Sequence, residues 1–425
     1  MQLNALQDIK EKPIILATNT SIHLMPDQMQ WANALSTRPS LEAAIIEVVE
    51  RATSQLTKPA DLGLVFISSA FTSEFSRLLP LLAERINVPV LIGCSGGGTI
   101  GTTVAGDTQE SESQPGVSLT LAYLPGVELQ TFHTAASELP DLDGPPNAWI
   151  DLIGISPATK QHFILLSALS GGINDLLQGL DFAYPGSVTL GGQASGGGFG
   201  SRIALFCNDQ LYRDGVVGLA LSGNIILETI VAQGCRPIGK PLQVTKGDRN
   251  IIIELEDKVP LAVLRDLVSD LSDEDRTLAQ NWLFVGVAMD EFKLDLEPGD
   301  FLIRSILGVD PSAGAIAIGD QVRPGQRLQF HIRDAGTSEE ELDYLLEQYQ
   351  DKNPDSSTAV AALMFTCMGR GEGLYGRPNF DSELLQCYFQ DIPISGFFCN
   401  GEIGPVGSKT FLHAFTSVFG ICRQP

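Results

Sequence analysis

Three stretches of the chain repeat one order of events: an apolar strand, a short amphipathic segment, a second apolar strand, and a turn crowded with glycine. The first runs through residues 64–68, 75–86 and 90–92 into Gly93-Cys94-Ser95-Gly96-Gly97-Gly98. The second runs through 162–167, 173–180 and 188–190 into Gly191-Gly192-Gln193-Ala194-Ser195-Gly196-Gly197-Gly198. The third runs through 361–367, 380–389 and 393–395 into Gly396-Phe397-Phe398-Cys399-Asn400-Gly401-Glu402. Such turns present backbone, because glycine tolerates positive φ and lets a ligand or another strand approach closely. They predict the rim of a binding site, and only the tertiary structure decides whether all three share it.

Around these units the composition sets limits. With 425 residues, 44% of them hydrophobic and 18% charged, the chain can bury a large core and should divide into at least two domains. Fifty-one acidic against 27 basic residues give a net charge of −24, which opposes nucleic acid and anionic membrane as partners. Residues 1–13 lack the basic-then-apolar order of a signal peptide, and no apolar run approaches the roughly 20 residues of a membrane span, so a cytoplasmic location is expected. The seven cysteines are scattered and form no Cys-x-x-Cys pair, which suits reduced thiols better than a structural zinc site.

Helical periodicity places Leu41, Ala44, Ile45, Val48, Ala52 and Leu56 on one face after Pro39, and Phe75, Leu78, Leu79, Leu82 and Ile86 on another with Ser73 as N-cap. Leu261, Leu264, Leu267, Val268 and Leu271 form a third such face. Ser338-Glu339-Glu340-Glu341 reads as a capping box opening a fourth helix. Strand pairs 117–123/127–132 and 216–221/225–231 flank Leu124-Pro125-Gly126 and Ser222-Gly223-Asn224 and read as hairpins. Further strands are expected at 282–288, 301–307, 315–318, 327–332 and 411–419. Each of the first two units is thus followed by a hairpin, an internal duplication. Gly234, Pro237, Gly239 and Pro241 mark a boundary. The fold class that follows is α/β: two domains, 1–235 and 236–425, of mixed, largely antiparallel sheets with outer helices. Residues 106–116 and 140–146 read as surface loops.

Two motifs mislead. Gly96-Gly97-Gly98-Thr99-Ile100-Gly101 matches a dinucleotide fingerprint and Gly93-Cys94-Ser95-Gly96-Gly97 a serine-hydrolase elbow, yet both need a helix at once and Thr102-Thr103-Val104 supplies none. No cofactor is therefore expected. His162 and His331 lie in apolar strand patterns that suit a structural role. Cys367 ends a strand before Met368-Gly369-Arg370-Gly371-Glu372, where a nearby arginine could make a reactive thiolate or the thiol could simply be buried. Arg304, inside Phe301-Leu302-Ile303 and Ser305-Ile306-Leu307, is either solvated on a sheet face or buried against an anion.

The order Gly93-Cys94-Ser95, Gly191-Gly192-Gln193-Ala194, Ile238-Gly239-Lys240-Pro241 and Val244-Thr245 resembles a FIST N-terminal domain running into a FIST C-terminal domain. Leu302 to Leu307, Phe365-Thr366-Cys367-Met368-Gly369-Arg370, Gly396 to Gly404 and His413-Ala414-Phe415-Thr416 continue that order, so the resemblance covers residues 64–419. It implies a sensory module of signal transduction that binds a small ligand such as an amino acid and, in eukaryotes, stands beside F-box segments. The chain departs where Ser95 precedes glycine instead of threonine or alanine with Gly-Glu, and where His413 precedes alanine instead of asparagine. With no F-box-like helices and no output region in the sequence, the signal is expected to pass to a separate signalling protein. The expected ligand site comprises Arg304, Cys367, Arg370, Asn400, Gly401, Glu402, Ser95, Gly192 and Ser195. An arginine would hold a carboxylate and Glu402 an ammonium, as an amino-acid-like zwitterion requires. A non-enzymatic sensor is thus the leading expectation, and a thiol-dependent enzyme using Cys367 or an interaction scaffold are its alternatives.

Overall fold

The structure, a computed structural model, describes residues 27–169, 172–196, 202–290, 293–296, 298–353 and 358–425. Met1 to Pro13 and the glycines Gly197 and Gly198 lie outside the described residues. Three six-stranded sheets and one closed six-stranded barrel account for the described strands. In each sheet the two strands of a repeat lie parallel: Leu62–Ser68 on Val90–Gly96, His162–Ser167 on Val188–Gln193, and Ala359–Cys367 on Ile394–Cys399. The intervening helices, Phe75–Ala83, Ile173–Ala183 and Phe380–Tyr388, are the amphipathic segments of the sequence pattern. Every other sheet pairing is antiparallel.

The duplication is a triplication with exchange. After its glycine turn each unit sends a strand pair into a neighbouring sheet: Thr99–Thr102 with Thr108–Ser111 joins the third sheet, Leu205–Cys207 with Gln210–Tyr212 the first, and Glu402–Val406 with Lys409–His413 the second. The chain then adds an antiparallel strand to its own sheet, Val117–Tyr123, Val216–Gly223 or Ser417–Arg423. The strands expected as hairpins across Leu124-Pro125-Gly126 and Ser222-Gly223-Asn224 do not pair with one another. Val127–Thr134 crosses to the second sheet and Ile226–Ala232 to the third, where it lies against Ser417–Arg423. The turns are corners because apolar faces on both sides of each strand must be covered by different sheets. At these corners Asn224 N–H donates to Gly126 O at 2.9 Å, and its side-chain amide to Pro125 O at 2.9 Å. An equivalent corner lies between the first and third sheets, where Met29 N–H donates to Gln424 Oε1 at 2.9 Å.

The barrel is inserted into the third unit, after Ile226–Ala232 and before Ala359–Cys367. Its strands close in the order Cys235–Asp248, Ile251–Leu255, Ala315–Ile318, Phe301–Asp310, Leu283–Ala288 and Arg327–Arg333. The chain enters and leaves at one end, where Cys235 pairs in register with Arg333. Val244, Ile252, Val285, Ile316, Leu328, Phe330 and Ile332 belong to its own core cluster.

Local details correct three sequence expectations. Ser73 is not a cap, because residues 69–74 form a 3-10 turn continuing into the helix Phe75–Ala83. The helix Ala335–Lys352 begins a turn before the expected capping box, with Asp334 accepting from Thr337 N–H at 2.8 Å. Ser338 and Glu341 point inward instead, to Gly234 O and Gly234 N–H respectively. The acidic stretch 106–116 is no plain surface loop: Thr108–Ser111 is an edge strand, and Glu110 accepts from Ser382 N–H at 2.8 Å. A carboxylate at a helix start satisfies an orphan donor, which explains why an acidic residue tolerates burial there.

Candidate functional site

The three glycine turns meet. Ser95 and Ser195 exchange hydrogen bonds at 3.1 Å, Ser195 N–H to Ser95 O and Ser95 Oγ to Ser195 O. Gly97 N–H reaches Ser195 Oγ at 2.6 Å, Ser195 Oγ bonds Phe398 O, and Phe398 N–H donates to Gly98 O at 3.1 Å. The second and third turns are joined by Gln193 N–H to Gly401 O at 2.7 Å, Asn400 N–H to Gln193 O at 3.1 Å, and the Asn400 amide to Ala194 O at 3.3 Å. Backbone fills this junction. Gly93, Gly191 and Gly396 hold equivalent positions, and a Cβ on any of them would overlap the carbonyl oxygen of Val65, Leu165 or Met364 on the parallel neighbour. On Gly192 it would strike the Cys399 sulfur. These glycines are there for close packing of three strand ends.

Departures from the pseudo-threefold pattern mark the chemistry. Ser68, Ala168 and Cys367 are equivalent, each donating its backbone N–H to the start of the next strand, at Gly116, Gly215 and Thr416. Thr99, Leu205 and Glu402 are equivalent by register. Only the third position of each set carries a thiol or a carboxyl. Beside them Arg370, fully buried, forms a two-point pair with Asp381, Nε–Oδ2 2.8 Å and Nη2–Oδ1 3.0 Å. Asp381 also accepts from Tyr375 OH at 2.8 Å and Ser417 Oγ at 2.7 Å. Burial alone would lower the Arg370 pKa, but the Asp381 charge more than offsets this and holds it above the ordinary arginine value. Burial also works against the Asp381 charge, yet Arg370 keeps that carboxyl below its usual range.

Arg333 has no such counterion. Its guanidinium is buried at the barrel end, donates from Nη2 to Gly369 O at 2.9 Å and lies 5.2 Å from the Phe415 ring. Nε and Nη1 find no hydrogen-bond partner among the described residues, and neither do Nη1 of Arg370 and Oε1 of Glu402. Burial lowers the Arg333 pKa, and the Arg370 charge adds to that. Burial pushes Glu402 up to about 8, while Oε2 accepts from Thr416 N–H at 3.1 Å. The Cys367 thiol bonds Glu402 and is itself pushed up to about 12, by burial first and the Glu402 charge second. Burial thus opposes the thiolate that a thiol-dependent enzyme would use. Gly369 N–H points at the Cys367 sulfur at 3.4 Å, and Phe415 N–H also bonds it. Phe415 adopts φ 61°, a left-handed conformation costly for a bulky residue, which identifies this corner as strained.

Residues 61–258 match the model of the FIST N domain and residues 260–405 that of the FIST C domain. The chain belongs to the FIST family. An uncharacterized protein of Mycobacterium bovis is 33% identical over 391 residues, covering 92% of this chain and 97% of its own length. One of Mycobacterium tuberculosis is 34% identical over 392 residues, covering 92% and 98%. An F-box/LRR-repeat protein of Arabidopsis thaliana is 22% identical over 457 residues, covering 91% of this chain and 84% of that one. FIST domains are signal-transduction sensory domains.

The FIST C match contains Arg333, Cys367, Arg370 and Glu402, whereas Cys235 falls in the FIST N match and Phe415 and Ser417 lie beyond both. Of the expected site residues, Cys367, Arg370, Asn400, Gly401 and Glu402 gather beside the junction, and Ser95, Gly192 and Ser195 build it. Arg304 lies apart. Its Nε pairs with Asp320 at 2.7 Å and Nη1 donates to Leu412 O at 3.1 Å, in a groove of about 780 Å³ shared with Asp181, Arg323 and Lys409. Arg370 spends its two-point geometry on Asp381, leaving Nη1 for anything else. The sequence pattern did not single out Arg333, which alternates with core residues of its strand. Gln329, His331 and Arg333 are all buried, and Arg333 reaches the third unit at Gly369 O. The signal that could have found Arg333 is its place just before the helix N-cap Asp334, where the strand must turn inward. Among the described residues no His, Cys, Asp and Glu cluster suits a metal, and no helix is long and apolar enough to cross a membrane.

Proposed function

We propose that this FIST protein is a sensor whose ligand is a small carboxylate metabolite held at the junction of the barrel and the third unit. The observation that carries the reading is the buried Arg333 guanidinium with two N–H groups lacking protein partners. Burying an arginine without a counterion costs several kcal/mol, and a ligand carboxylate supplies both the charge and an acceptor for it. Arg370 Nη1 and Glu402 Oε1 provide two further unmatched polar atoms for the rest of the molecule. An amino-acid-like zwitterion satisfies this set if its ammonium replaces the proton that burial keeps on Glu402. Site residues come from the barrel and from the third unit, so a bound ligand would tie the two together and present a changed surface to a separate signalling protein.

The test is differential scanning fluorimetry against a panel of small carboxylates, amino acids and their amides, with isothermal titration of any that shift the melting temperature. Carboxylates are expected to stabilise the protein and their amides not, and Arg333→Met to abolish the response. A panel without any response, in a protein that native mass spectrometry shows to be free of retained metabolite, would refute the reading.

A further inference from the structure

The site holds more than an anion needs. Beside the Arg333 fork stand a thiol, a carboxyl that accepts its hydrogen bond, and a lone arginine N–H, all drawn from one unit of a threefold pattern whose other two units lack them. Cys367 is 7% exposed and bonded by two backbone N–H groups, from Gly369 and the strained Phe415. Donors on sulfur favour the thiolate over the thiol, and a left-handed phenylalanine is an expensive way to supply one of them. Such a neighbourhood is superfluous for a buried cysteine that only packs.

Resting on the reading of Arg333 as a carboxylate anchor, we propose that the ligand is a small 2-oxo acid, captured by reversible addition of the Cys367 thiol to its ketone carbon. The count of unmatched atoms fits this class. Nη1 of Arg333 takes a carboxylate oxygen, Nη1 of Arg370 takes the ketone oxygen, and Oε1 of Glu402 handles the proton. In the addition, the sulfur–carbon bond forms as the carbonyl π bond breaks, and Glu402 gives its carboxyl proton to the new alkoxide and takes the thiol proton in its place. Nothing leaves and nothing is oxidised or reduced. The product is a thiohemiketal whose hydroxyl faces Arg370, and reversal restores free ligand and thiol. A carboxyl whose pKa lies near neutrality is suited to both directions of that transfer. A carboxyl kept protonated by burial donates directly to a ketone oxygen, whereas an ammonium would first have to displace that proton, which favours the ketone.

The experiment compares pyruvate, lactate and alanine on the full chain by isothermal titration, together with carbon-13 NMR of pyruvate labelled at its ketone carbon. Pyruvate is expected to bind at least about tenfold more tightly than lactate, a difference of about 1.4 kcal/mol. Its labelled carbon should move from the carbonyl to the tetrahedral region on binding. In Cys367→Ser the tetrahedral signal should vanish and the two affinities converge, and in Glu402→Gln the exchange between free and bound ligand should slow. The melting temperature of each variant without ligand reports folding separately. Lactate or alanine bound as tightly as pyruvate, or pyruvate bound with its ketone intact, overturns the covalent capture while leaving the carboxylate sensor standing. No binding of any of the three, with none in the wider panel, removes both.

Discussion

Replacing Asp381 by asparagine should cost more stability than any surface change in this protein. The residue and its partner Arg370 are both wholly buried, with Nε–Oδ2 2.8 Å apart, and Asp381 also accepts from Tyr375 and Ser417. Neutralising one side leaves the guanidinium without its counterion, and removing one partner of a buried pair costs about 3–5 kcal/mol. With an unfolding entropy of about 2.1 cal/mol/K per residue over 425 residues, that loss lowers the melting temperature by about 3–6 °C if the chain unfolds as one unit. Calorimetry on Asp381→Asn is set beside Asp381→Leu, Arg370→Met and the double variant Arg370→Met/Asp381→Leu, which close the cycle. The double variant should recover most of the loss, because an apolar pair of similar volume carries no desolvation penalty. A single-variant loss below about 1 kcal/mol, or a double variant no better than the single ones, would show that the pair is not a closed buried unit.

Other outcomes follow from the same geometry. Glu110 and Glu402 are both raised from 4.5 to about 8, chiefly by burial, so the folded protein holds protons that the unfolded chain sheds. Their stabilising contribution is complete below the unfolded value and is lost as pH rises towards about 8; the melting temperature should fall over that interval, and Glu402→Gln should flatten part of the slope. Asp381 acts with the opposite sign, since its depressed folded value makes its contribution disappear as pH drops through that value. Arg333→Met should raise the melting temperature of the ligand-free protein while abolishing the carboxylate response, the usual exchange of stability for a binding group; a lower melting temperature would argue that Arg333 is structural. Gly396→Ala should cost more than the roughly 1–3 kcal/mol of ordinary overpacking, because its Cβ meets backbone that cannot rotate away, and soluble expression with an unchanged melting curve would contradict this. Gly234→Ala should also destabilise, since φ is +69° there and a Cβ would lie 2.9 Å from Arg370 Nη1.

Much of the site was legible from residue type alone. Cys367, Arg370 and Glu402 stand out in the sequence because thiol, guanidinium and carboxyl interrupt apolar strand and glycine-turn patterns, and the structure does bring them together. Arg304 stood out by the same rule, yet its neighbour Asp320 supplies an ordinary ion pair in a different groove. Asp381 and Glu110 were not singled out, Asp381 lying in an amphipathic segment and Glu110 in a stretch that read as a loop. Their burial depends on partners as distant as Ser382 is from Glu110, 272 residues along the chain. Ser338 and Glu341 matched a capping motif, but the cap Asp334, four residues before Ser338, displaced the start and freed both side chains to hold Gly234.

By itself the amino-acid order determined the threefold rhythm of strand, helix, strand and glycine turn, since period and glycine content are local properties that survive any arrangement of the sheets. It also determined where charge interrupts that rhythm. Tertiary structure alone decided that each unit lends two strands to a neighbour, that the corners at Gly126 and Gly223 close no hairpin, and that Arg333 faces protein instead of water. Those outcomes depend on which hydrophobic face finds a cover. A strand carries the same alternation whether its second face meets solvent or another sheet, and only the assembled fold supplies the difference.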